Sequence, residues 1–129
     1  MGDIPLNRGI VLAKLGKADE ALESWQRAAS ISPDDHRPLV NIGVGLRKLD
    51  PPESDGALEA FLKAAALQPK ESKLVYALGE TYEELERYEE AMYQFALAGR
   101  LEPKRYKDMD EKNTKLQWKA VEKQNNAER

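Results

Sequence analysis

Three seventeen-residue stretches, KADEALESWQRAASISP, ESDGALEAFLKAAALQP and RYEEAMYQFALAGRLEP, place alanine, an aromatic, alanine and proline at identical offsets. They are Ala21, Trp25, Ala28 and Pro33; Ala57, Phe61, Ala64 and Pro69; and Ala91, Phe95, Ala98 and Pro103. Residues at i, i+4 and i+7 share one face of a helix, and a proline just beyond the last turn cannot prolong it. One such segment would suit any helical protein. Three in phase define a repeat, and a repeated helical unit can bury its apolar face only against its neighbours.

A second helical segment precedes each of these. In the third unit it reads SKLVYALGETYEELE, with Leu78, Gly79 and Tyr82 on one face and Gly79 leaving room for another helix to approach. The second unit has DHRPLVNIGVGLRKL, with Ile42, Gly43 and Leu46 in the matching places and Pro38 in a first turn, where its missing N–H costs nothing. The first has PLNRGIVLAKL, where Gly9 and Leu12 match and Arg8 replaces leucine. The period is 34 residues from Pro69 to Pro103 and 36 from Pro33 to Pro69, because Asp50-Pro51-Pro52 lengthens the turn of unit two.

LGETY at 78–82 with AMYQF at 91–95 resembles the signature of the tetratricopeptide repeat family, a helix–turn–helix of 34 residues. Units one and two keep the second-helix half in full and the first-helix half in part. The resemblance implies an all-α fold, a right-handed superhelix of antiparallel helix pairs with about seven helices. It divides a single domain, 1–129, into repeat one (2–35), repeat two (36–71, with the two-residue insertion near 50–52) and repeat three (72–105). A capping helix over 106–124 would follow, its inner face made by Tyr106, Met109, Leu116 and Ala120, and the tail 125–129 should fray.

Composition narrows the function. With 41% hydrophobic residues the chain can build a core, and its net charge of −3 offers no basic stripe for nucleic acid. No cysteine is present, so a thiolate nucleophile and cysteine-held metals are excluded. The opening MGDIPLNRG reads as no secretory signal, and no apolar run is long enough to insert into a membrane. A cytoplasmic location is the expectation. No nucleophile–base pair, metal cluster or phosphate-binding glycine loop is legible, so neither an enzyme nor a cofactor is expected. The lone His36, between Pro33 and Pro38, has no companion ligand.

The family resemblance implies a groove lined by first helices that binds a peptide or protein segment. Transferred position by position, it is lined by Leu6, Ile10, Arg37, Val40, Asn41, Val44, Lys48, Lys73, Tyr76 and Glu80. A subgroup of the family holds the C-terminal carboxylates of heat-shock chaperones in a clamp of five polar anchors. Asn41 and Lys73 match it, whereas Leu6, Ile10 and Ala77 stand where Lys, Asn and Arg belong, so chelation of both carboxylates is lost. The apolar members point instead to a partly apolar ligand, with Asn41 and Lys73 bonding its backbone or an acidic side chain. Val40 and Val44 have a second reading, in which they pack inward on their own second helix.

Two surface features stand apart from the groove. Glu80, Glu83, Glu84, Glu86, Glu89 and Glu90 cluster around the turn of unit three, as a docking surface for a basic segment, a weak cation site or a solvated helix face. Trp118 falls nearly opposite the Met109–Leu116 face. It is left in water as a contact for self-association, or the last helix bends to tuck it against the stack. Two functions follow: an interaction adaptor working through the groove, and an assembly module forming homo-oligomers through its ends or Trp118.

Overall fold

The computed structural model describes residues 2–129. Among them are seven helices and no strand: α1 (Asp3–Lys14), α2 (Ala18–Ile31), α3 (Arg37–Arg47), α4 (Ser54–Leu67), α5 (Ser72–Glu84), α6 (Tyr88–Leu101) and α7 (Met109–Ala127). The fold is all-α and built of helical repeats. The chain divides into two compact units, one ending at Pro69 and one over Lys70–Arg129. The boundary between the units falls at the proline that closes repeat two.

The first unit holds α1–α2 and α3–α4 as packed pairs, with α2 also packed on α3. Its core joins Leu6, Ala21, Trp25, Ala28, Ile42 and Ala60, with Phe61 fully buried. The recurring glycine and aromatic explain each other. A methyl group on Gly9 would fall 2.3 Å from Trp25 Nε1, and one on Gly43 2.5 Å from Phe61 Cε1. The ring takes the volume that any larger residue on the first helix would need. The Trp25 indole also donates from Nε1 to the Leu6 carbonyl, at 3.2 Å, satisfying a buried polar group.

The second unit repeats this pairing. Phe95 of α6 is fully buried against Gly79 of α5, where a methyl group would lie 2.6 Å from Cε1. α7 packs on α6 through buried Leu116, while Tyr106, Met109 and Ala120 are half-buried. It runs to Ala127, past the expected helix end at residue 124 and into the stretch expected to fray.

The same hydrogen bond closes the turn in all three repeats. Lys17 N–H reaches Leu12 O at 2.9 Å, Glu53 N–H reaches Leu46 O at 3.0 Å, and Arg87 N–H reaches Tyr82 O at 2.9 Å. The second turn spans two more residues, yet the bond survives, so the insertion is absorbed entirely between the helices. Gly16 adopts φ +80° in the first turn, and Glu86 holds the same repeat position at φ +58°. The left-handed backbone suits glycine and strains glutamate.

Candidate functional site

In the first unit, the exposed first-helix side chains come from α1 and α3. Ile10 and Val44 hold the same position in successive repeats and remain 36% and 37% exposed. Val40 and Asn41 are half-buried beside Val44 on α3, and Lys48 is exposed at its end. An apolar pair rimmed by an amide and an ammonium can seat an aliphatic side chain and bond a neighbouring backbone group.

Leu6 does not join them. It stands at the repeat position of Val40 but is buried in the core, its carbonyl occupied by Trp25. The expectation of Leu6 as a groove residue is corrected by that packing. Arg37 is exposed but already paired. Its guanidinium binds both carboxylate oxygens of Asp35 and reaches Asp3 Oδ1 on α1 at 2.9 Å, while its backbone N–H donates to Asp35 Oδ1 at 3.0 Å. Asp35 therefore satisfies the first free backbone N–H of α3, and Arg37 ties that helix to α1. Hydrogen bonding from Arg37 holds the Asp35 carboxyl below its ordinary value, and the two carboxylates raise the Arg37 pKa further. The two acids were not singled out from the sequence, although aspartates just ahead of a helix are a capping signal.

In the second unit, Lys73 is exposed and Tyr76 and Glu80 are half-buried. The Tyr76 ring stacks on Tyr106 at 4.9 Å and 17°, and packs tilted on Phe95 at 5.1 Å. Tyr76 is thus closed over by the segment leading into α7, and is no open anchor. Sequence spacing could not show this, because Tyr106 lies outside the repeat that contains Tyr76.

The acidic turn is met by the chain's own basic helix. Glu83 pairs with Lys112 and Lys119 of α7, each at 3.5 Å, and Lys123 Nζ donates to Glu86 O at 2.9 Å. Lys112 also lies 4.7 Å above the Phe95 ring, and Asn113 Nδ2 donates to Met92 O at 2.9 Å. Arg87 covers Tyr82 and pairs with Glu90. Lysines at 112, 119 and 123 share one helix face, a signal present in the sequence but not read there. Trp118, on the opposite face, is 67% exposed, so α7 does not bend to bury it.

Among the described residues no group of three or more His, Asp or Glu could hold a metal ion. No described helix is long and apolar enough to cross a membrane.

Comparison with known proteins gives two family matches. The family described as regulator of microtubule dynamics protein 1-3 matches residues 50–124, more than half of the chain, and the tetratricopeptide repeat family matches residues 6–35. No curated protein matches the chain significantly. Among solved structures, the first tetratricopeptide domain of human RPAP3 shares 22% identity at a TM-score of 0.82, covering 97% of this chain and 96% of its own. The first such domain of Spaghetti (RPAP3), bound to the HSP90 peptide SRMEEVD, shares 20% identity at a TM-score of 0.80, with coverages of 91% and 90%. YrrB, a tetratricopeptide protein with an unusual peptide-binding site, shares 28% identity at a TM-score of 0.70, with coverages of 79% and 52%.

Proposed function

Because the chain belongs to the family of regulator of microtubule dynamics protein 1-3 and is built of tetratricopeptide repeats, we propose that it is a non-enzymatic protein-interaction module acting on microtubule dynamics. In this reading it works in the cytoplasm and needs no cofactor. The α1/α3 face of the first unit holds an extended or helical segment of a protein partner. The observation that carries this is the placement of Ile10 and Val44 at one repeat position on successive first helices, each about a third exposed, with Asn41 beside Val44. Such a pair offers apolar area next to a fixed amide, the combination that gives a peptide both affinity and register.

Peptide binding by YrrB and by the Spaghetti (RPAP3) domain supports the class of ligand and not its identity. A doubly anchored acidic tail is disfavoured here. Leu6 is buried, Ile10 is apolar, and Ala77 supplies no cation where the clamp needs one.

Growth and shortening rates of microtubules from purified tubulin, measured with the chain and with an Ile10→Glu, Val44→Glu variant of unchanged helicity, test the proposal. Altered rates with the intact chain that return to baseline with the variant are expected. Equal effects of both proteins would remove the α1/α3 face from the function, and no effect of either would remove direct action on microtubules.

A further inference from the structure

α1 carries a line of large apolar side chains on its outer surface. Ile4, Val11 and Leu15 are 80%, 56% and 67% exposed, and with Arg8 they sit at i, i+4, i+7 and i+11, a single stripe of helix. The equivalent stripe of α3 is Pro38, Ile42, Gly45 and Leu49, and there Pro38 and Ile42 are buried. α2 covers it: a methyl group on Gly45 would lie 3.1 Å from the Trp25 ring and 3.3 Å from Leu22 Cδ2. The covering helix thus presents an aliphatic and an aromatic side chain three residues apart. In α5 the corresponding Leu74, Leu78 and Thr81 are buried as well. Among the described residues this repeat position faces water in α1 alone.

α7 carries an unpartnered face of the matching kind. Trp118 and Val121, three residues apart, are both exposed on the side away from Leu116. Among the described residues neither Glu122 beside them nor Arg8 in the α1 stripe is in an ion pair. One face offers an aromatic, an aliphatic and a free carboxylate, and the other three aliphatics and a free guanidinium.

We propose that two copies of this chain join head to tail, with the Trp118–Val121 face of α7 in one copy seated on the Ile4–Val11–Leu15 stripe of α1 in the next, and Glu122 meeting Arg8. The contact reproduces between copies what α2 and α3 make within the first unit. It is heterologous, joining unlike faces of successive copies, so copies assemble into a closed ring or an open chain according to the rotation between them.

Sedimentation equilibrium of the intact chain, Val11→Glu, Trp118→Glu and an equimolar mixture of the two variants tests this. The substituted side chains are exposed, and circular dichroism verifies unchanged helicity. The average mass of the intact chain should climb above 14.6 kDa through the millimolar range, each variant should remain monomeric, and the mixture should form a one-to-one dimer. In the mixture one protein supplies an intact α7 face and the other an intact α1 stripe. A monomeric intact chain overturns the proposal. So does continued association of Trp118→Glu, which would mean that α1 stripes pair with each other, and so does a mixture that stays monomeric.

Discussion

Gly43 lies so close to Phe61 that a methyl group on it would fall 2.5 Å from Cε1 of a fully buried ring. Gly43→Ala gains about 1 kcal/mol of helix propensity but forces overpacking that costs about 1–3 kcal/mol. The net should be destabilising. Phe61→Leu removes the ring edge, so a double-mutant cycle should show the Gly43→Ala cost shrinking by about 1 kcal/mol in that background. Chemical denaturation of the four proteins checks it, and additive losses would refute the contact.

Glu86 sits at φ +58° where the first repeat has Gly16 at φ +80°. Its backbone oxygen, the acceptor for Lys123, is common to all residues. Glu86→Gly should therefore keep that bond and raise stability by about 1 kcal/mol, the penalty of a left-handed non-glycine residue. A lowered denaturation midpoint would show that the side chain matters more than the strain.

Asp35 receives hydrogen bonds from the Arg37 side chain and backbone, and its pKa is lowered from the ordinary value of 3.8. A carboxyl with a depressed folded-state pKa stabilises the fold above its unfolded value, and loses that contribution as pH falls through the folded one. Asp35→Ala should cost about 1 kcal/mol, the net worth of a hydrogen bond to an otherwise unpaired helix N–H. The gap from the intact chain should hold at neutral pH and close below about pH 4. A gap independent of pH would assign the loss to something other than the carboxylate.

α7 is held by one buried leucine and a set of lysines. Leu116→Ala should cost about 2–5 kcal/mol, whereas Glu83→Gln, which breaks two partly exposed pairs, should cost under about 1 kcal/mol each. Hydrogen exchange should therefore quicken throughout α7 in the first variant and hardly in the second. Similar quickening in both would mean that charge, not burial, docks the helix.

The repeat was legible because one spacing governs it: Ala21, Trp25 and Ala28 recur as Ala57, Phe61, Ala64 and as Ala91, Phe95, Ala98, and all nine are buried. Gly9, Gly43 and Gly79 follow from the same rings. The site was less legible. Leu6 and Val40 occupy one repeat position, yet Leu6 is buried and Val40 only half so, a difference that does not lie in the repeat pattern. Tyr76 is covered by Tyr106, thirty residues away, and the acidic turn by lysines of α7, contacts that no local period encodes. Trp118 had two readings because helix phase fixes which way a side chain points and not whether anything meets it.

In the proposed function the α1/α3 face of the first unit is the working surface. Affinity capture from cell extract with the intact chain, with Ile10→Glu, Asn41→Ala, Val44→Glu and with Trp118→Glu tests it most directly. Partners held by the intact chain and by Trp118→Glu but lost from the triple variant are the predicted result. Partners retained by the triple variant, with its helicity unchanged, would remove the α1/α3 face from the function.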